Sequence, residues 1–257
     1  MYKLLLFIIW SSCLFFINNT YNMLHNDIIF KSKLCHICYF NNIKLNYSKK
    51  YINKNFNNYI HIYNSNNPIC IIFYNKTNID ICFKGTTTFD DIFTNIQIYP
   101  KKFINNKIKV HYGFLKKYLS VKNNIFYHID NIIYLNNITD ISLTGHSSGG
   151  AIANIATLDI NDKYKNIKIK CVTFGSPRVG NKYFVYEYNK KINNSFRIVN
   201  KNDIIEHLPF PIIYQHIHEP IYLKHKKKFT IYQIFTNIYK YFKFNHNIVT
   251  YIRNLLD

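Results

Sequence analysis

The sequence predicts an α/β fold: a mostly parallel central sheet with helices on both faces. Three observations lead there. Apolar runs of strand length (IDICF at 79–83, ISL at 141–143, IKIKCVTF at 167–174, FRIV at 196–199) each run into residues typical of turns. After the second run, Ala151, Ile152, Ile155, Ala156 and Leu158 recur at helical spacing. The 257 residues, 48% of them hydrophobic, suffice for one core, and no interior boundary divides them, so residues 21–257 read as a single domain.

The chain opens with Lys3 and then Leu4 to Ile17, apolar except for Ser11 and Ser12. A charged start and a short apolar stretch are the pattern of a secretory signal, and the stretch is shorter than the roughly 20 residues that span a bilayer. Residues 1–20 are expected to be a signal peptide or an uncleaved anchor, and the protein to be secreted or endomembrane-associated. A buried N-terminal helix is the alternative.

The formal net charge is +20, from 33 Lys and Arg against 13 Asp and Glu. Such a balance attracts anionic surfaces. Nucleic acid is nevertheless not expected as a partner, because Asn, Lys, Ile, Tyr and Phe dominate throughout and share A/T-rich codons. Anionic membrane contact fits better, especially at the basic, aromatic stretch 224–244. Of the six cysteines, Cys13 would leave with a signal peptide, and the odd remainder argues against a dense disulfide framework. Cys82 and Cys171 lie in strand-like runs and read as buried thiols. Cys35 and Cys38 form a CHIC unit with no second pair to complete a zinc site, so a disulfide, local or with Cys70, is expected ahead of a metal.

Residues 143–150 read LTGHSSGG, in which Gly145, Ser147 and Gly149 form a GxSxG pattern between a strand and a helix. This is the context of a nucleophile elbow: flanking glycines allow a sharp turn that exposes the serine hydroxyl above the sheet. The Ser148 N–H, at the start of the helix, faces the place where an oxyanion would form.

A serine nucleophile needs a base, and the base an orienting carboxylate. Asp203 follows the strand run 196–199, at the carboxyl end of the sheet, where open α/β sheets place their active-site loops. Glu206 is the second choice; Asp159 and Asp162 belong to the elbow helix and are poorer ones. Candidate bases are His207, His216, His218, His225 and His246. His216 and His218 alternate in YQHIHEPIYL, which reads as a strand. His246 precedes a helical pattern formed by Ile248, Val249, Ile252 and Leu255. Chemistry alone leaves the base open.

These motifs, in this order, resemble the class 3 lipases, the fungal-type triacylglycerol lipases, over most of residues 60–257. ICFKGTTTFDDIFTNI (81–96) resembles the family's strand, turn and lid, and VHYGF (110–114) its Val-His-x-Gly-Phe. GHSSGG resembles the family elbow, TFGSPRVGN the strand and turn behind it, and NDIIEHLP the acid segment. HEPIYL and HNIVTYI match the late strand and the final histidine segment.

The resemblance implies an α/β hydrolase fold with a short helical lid, Ser147 as nucleophile, Asp203 as acid and His246 as base, with His216 as runner-up. Thr86 and Ser148 would form the oxyanion hole. Phe89, Ile92 and Phe93 would give the lid its apolar face, suited to a lipid surface. No metal or organic cofactor is implied. Four departures stand out: Ser148 replaces a usual leucine, Lys84 an arginine and Ile92 a tryptophan, while Asn245 and Asn247 offer His246 weak support. The expected activity is hydrolysis of lipid carboxylic esters, of the triacylglycerol, diacylglycerol or phospholipase A type, at a membrane or droplet interface. A catalytically silent lipid-binding protein on the same fold is the alternative.

Overall fold

A computed structural model describes residues 22–40, 55–56, 58–86, 99–209, 211–223 and 243–256. Seven strands form one sheet in the order β1-β2-β3-β6-β7-β8-β9. They are β1 (Asn58–Asn64), β2 (Asn67–Tyr74), β3 (Asn78–Phe83), β6 (Asp140–His146), β7 (Lys168–Phe174), β8 (Ser195–Asn200) and β9 (Pro220–Leu223). The short β4 (Pro100–Lys102) and β5 (Lys109–His111) pair separately. The first two pairings of the large sheet are antiparallel, and every pairing from β3 to β9 is parallel.

Period-two alternation builds a core on each face. On one face Ile72, Ile79, Ile81, Phe83 and Cys171 pack with the helices Tyr112–Leu119, Lys122–Leu135, Ser148–Lys163 and Lys182–Lys191. On the other, Ile71, Phe73, Cys82, Val172 and Phe174 meet Leu34, Cys35, Ile37 and Cys38 of a helix over 22–38, and Tyr251 and Leu255 of the helix Ile248–Leu256. The helix over 22–38 has no counterpart among the expectations. It is pinned at the far end of β3 by Lys31, whose ammonium bonds to Asp80, both side chains being buried.

Three expectations are corrected. Cys35, Cys38, Cys70, Cys82 and Cys171 are all buried free thiols; Cys35 lies nearest the sulfur of Cys82, at 3.9 Å, rather than Cys70, because Cys70 faces the opposite core. The alternating segment 214–223 is a strand only over Pro220–Leu223. His218 has φ 37°, incompatible with a pleated strand, and the rings of His216 and His218 donate to the carbonyls of Glu206 and Ile192. In the final helix Tyr251 is buried and Val249 is exposed, so the inward stripe runs Ile248, Tyr251, Leu255. Residues 1–20 and 224–242 lie outside the described residues, and no helix within the described ones is long and apolar enough to cross a membrane.

Candidate active site

Ser147 stands between β6 and the helix Ser148–Lys163, with φ 59° and ψ −133°, a conformation that costs an L-residue of order 1–3 kcal/mol. Its neighbours make the turn sterically possible. A Cβ on Gly145 would sit 2.3 Å from the backbone of Gly149, and one on Gly149 would sit 2.3 Å from the carbonyl oxygen of Phe83. Only glycines let strand and helix approach this closely. The Ser147 N–H donates to the Phe174 carbonyl at 2.9 Å, tying the elbow to the end of β7. The Ser147 hydroxyl is buried and makes no hydrogen bond among the described residues.

Asp203 and His246, 43 positions apart in the chain, meet beside this turn. His246 Nδ1 lies 2.8 Å from Asp203 Oδ2, and both side chains are buried. Asp203 follows β8 by three residues, and its Oδ1 accepts the Ile205 N–H at 2.9 Å. Tyr251 donates to Asp203 Oδ2 at 2.6 Å, and burial together with the Asp203 charge raises its pKa well above the usual phenol value, so it remains a donor. Gly175, the turn residue after β7, has φ +53°, and a Cβ there would lie 2.6 Å from Asp203 Oδ2 and 3.2 Å from His246 Nδ1.

The His246 segment is held through its backbone. The His246 carbonyl accepts from His146 Nε2 at 2.6 Å, and the Asn245 carbonyl accepts from Asn200 Nδ2 at 2.9 Å. Burial, and secondarily His246, holds the His146 ring well below the usual imidazole pKa. A carbonyl only accepts, so the neutral ring carries its proton on Nε2, and Nδ1 accepts from the Tyr39 hydroxyl at 2.8 Å. The two histidine rings lie 4.6 Å apart. Asn247 caps the last helix, its side chain accepting the Val249 N–H at 2.8 Å. The expectation of weak support around His246 is thereby corrected: Asn247 starts the helix that follows it, and the Asn245 carbonyl anchors the segment to β8.

Other candidates stand elsewhere. Glu206 pairs with Arg197 at 3.3 Å, and His216 donates to the Glu206 carbonyl at 2.6 Å. Burial, and then the charge of Arg197, lowers the His216 pKa to about 3. Asp159 pairs with Lys122 and Asp162 with Lys191, both near the far end of the elbow helix from Ser147. Phe89, Ile92 and Phe93 lie outside the described residues.

Thr86 lies across from the start of the elbow helix, where its N–H donates to Ser148 Oγ at 2.9 Å. It shares a cavity of about 270 Å³ with Tyr39, Phe40, His246, Ile248 and Val249. The cavity is mostly apolar, and one wall comes from the end of the helix over 22–38. Tyr39, His146 and Tyr251 carry no role in the sequence reading. For Tyr251 a signal existed: an aromatic five residues after a histidine, on the inward stripe of the final helix.

The profile of the lipase (class 3) family matches residues 81–212, just over half of the chain. A lipase of Rhizopus niveus is 35% identical over 136 residues, 51% of this chain and 34% of its own length. A secreted mono- and diacylglycerol lipase of Malassezia globosa is 34% identical over 118 residues, 45% of this chain and 39% of its own length. The chain thus spans little more than a third of the length of these relatives. The crystal structure of a lipase from Rhizopus microsporus var. chinensis superposes with a TM-score of 0.68 at 22% identity, covering 80% of this chain and 76% of that one. Together with the mostly parallel sheet, this likeness identifies the α/β hydrolase fold, and the matched profile settles the lineage: the chain belongs to the class 3 lipase family.

Proposed function

We propose that the protein is a serine hydrolase that cleaves carboxylic esters of lipids through an acyl-enzyme. The observation that carries this reading is the buried contact between His246 Nδ1 and Asp203 Oδ2 beside a serine held at positive φ. Nδ1 is committed to the carboxylate, which leaves Nε2 as the nitrogen that handles the Ser147 proton. His246 takes that proton as Ser147 Oγ attacks the ester carbonyl. The oxyanion is met by the N–H groups of Thr86 and Ser148, and His246 returns the proton to the departing alcohol. Water, activated by the same histidine, then releases the fatty acid. Asp203, held in place by Tyr251, keeps the ring oriented and compensates its transient positive charge.

The apolar cavity beside His246 suits an acyl chain or the glycerol end of a lipid. The Rhizopus relative is named a lipase and the Malassezia relative a mono- and diacylglycerol lipase, and the present chain is proposed to act on acylglycerols or on phospholipid acyl chains. Its charge of +20 favours an anionic interface. The proposed route is secretion or the endomembrane system, in keeping with residues 1–20, and Phe89, Ile92 and Phe93 are the proposed lid.

The test is release of fatty acid from short-chain esters, emulsified triacylglycerol and phospholipid vesicles by the wild type, Ser147→Ala, His246→Ala and His216→Ala. Activity lost in the first two variants and kept in the third supports the assignment. A folded wild type that binds lipid and hydrolyses none of these points instead to a silent binding protein.

A further inference from the structure

Ser148 carries a side chain that the proposed reaction does not use. Its hydroxyl oxygen accepts the Thr86 N–H at 2.9 Å and lies 2.9 Å from Thr86 Oγ1, where either hydroxyl can donate. The proposed oxyanion hole consists of two backbone donors, Thr86 N–H and Ser148 N–H, with the Thr86 hydroxyl as a further donor. Each amide offers a single hydrogen. The hydroxyl therefore already occupies the Thr86 N–H, one of the donors that a tetrahedral oxyanion would need.

We infer that the Ser148 hydroxyl is a resting occupant of the oxyanion hole, which must turn away before an ester carbonyl can be polarised there. This rests on the serine-hydrolase reading above. Two features fix how the occupant leaves. The start of the elbow helix is pressed against the end of β3, where a Cβ on Gly149 would lie 2.3 Å from Phe83 O and 2.9 Å from Gly85 N, so the two segments have little room to shift. Ser148 is only 6% exposed, which keeps bulk water from readily replacing the hydroxyl. Rotation of the Ser148 side chain is the movement that remains.

The leucine expected here from the family resemblance has no oxygen and would leave both donors open. With serine, the entering carbonyl takes over the Thr86 N–H while the displaced hydroxyl loses a buried partner. The net penalty is about one hydrogen bond, or about fivefold in rate. The occupant opposes the transition state, so its effect belongs in the chemical step and in the affinity of tetrahedral analogues. Affinity for an uncharged, non-reacting ligand of the cavity should be unaffected.

The experiment compares the full chain with Ser148→Ala and Ser148→Leu, with Ser147→Ala as the blank. Four quantities are read: turnover of a soluble p-nitrophenyl ester, inhibition by an alkylboronic acid, affinity for an unreactive ether analogue, and hydrogen exchange of the Thr86 amide. The inference expects kcat/KM and boronic-acid affinity to rise together by about fivefold in both variants. It also expects the Thr86 amide to lose protection, while affinity for an unreactive ether analogue stays the same. Unchanged Thr86 protection in Ser148→Ala would overturn it, because the hydroxyl would not then hold that donor. So would faster exchange accompanied by equal or lower turnover, since the hydroxyl would then support the hole. If turnover by the wild type and both Ser148 variants equals that of Ser147→Ala, the hydrolase reading itself fails, and the occupant has no reaction to oppose.

Discussion

Tyr251 and His246 converge on one oxygen: the phenol donates to Asp203 Oδ2 at 2.6 Å and the imidazole Nδ1 reaches the same atom at 2.8 Å. The phenol oxygen also accepts the Asn200 N–H at 3.1 Å, so one side chain joins the end of β8, the acid and the final helix. A carboxylate oxygen held from two sides has little freedom to rotate, and the imidazole it orients inherits that restriction. Tyr251→Phe keeps the ring and removes both bonds. The expected result is a kcat for ester hydrolysis lower by about tenfold with KM nearly unchanged, since about 1–2 kcal/mol of orientation is lost. An unaltered kcat would show that Asp203 is held without the phenol.

Gly175 tests the packing around the same carboxylate. Its φ of +53° disfavours any side chain, and even a methyl group would overlap Asp203 Oδ2 and Tyr251 Oη and press against His246 Nδ1. Gly175→Ala is expected to displace the acid and base together and to lower kcat/KM by roughly 100-fold, the scale of loss for a misplacement near 1 Å. It should also cost about 1–2 kcal/mol of stability. Kinetics alongside urea denaturation separate the two effects, and a variant with near wild-type kcat/KM refutes the overlap.

The pair formed by Lys31 and Asp80 governs attachment of the helix over 22–38. Burial raises the Asp80 pKa, and the Lys31 ammonium works against that shift. Removing one partner leaves the other charge without its counter-ion in the interior. Lys31→Met is expected to lower unfolding free energy by about 3–5 kcal/mol, and the double variant Lys31→Met with Asp80→Leu to recover most of it. Urea midpoints give both values. A single variant costing under about 1 kcal/mol contradicts the reading.

His111 supplies a pH dependence. It is buried, its Nδ1 accepts the Gly113 N–H at 3.2 Å, and burial lowers its pKa to about 4 from 6.5. The unfolded chain therefore takes up the proton first. Stability is fully present above pH 6.5 and is lost as pH falls from 6.5 to about 4. The loss from this residue should be on the order of 2–3 kcal/mol. His111→Asn retains an acceptor for Gly113 and does not titrate there, so its unfolding midpoint should fall less steeply over that interval. Parallel wild-type and variant profiles would count against the assignment.

The elbow was legible because its geometry is local. Glycines at 145 and 149 and a serine between them follow from chain stereochemistry at one turn, and the strand and helix on either side are written in adjacent periodicities. The α/β class was legible for the same reason. The segment 214–223 shows where periodicity misleads: the strand is confined to Pro220–Leu223, and the alternation of His216 and His218 before it comes from rings that bond carbonyls of other segments.

The α/β class, the sharp turn at Ser147 and the position of Asp203 just past β8 can be read from the chain, since each depends on neighbours a few residues away. Local chemistry left open which histidine stands against Asp203; the family resemblance pointed to His246, and the tertiary structure brings His246 to the carboxylate. His216 and His246 are the same chemical group in comparable polar surroundings, and they differ only in where the chain carries them. The final helix, capped by Asn247 and drawn inward by Tyr251, brings His246 to Gly175 and the carboxylate, while the loop after β8 turns His216 toward the Glu206 carbonyl. The support of His246 by His146, and of His146 by Tyr39, likewise joins residues 100 and 107 positions apart, a separation at which packing rather than local pattern sets the contact.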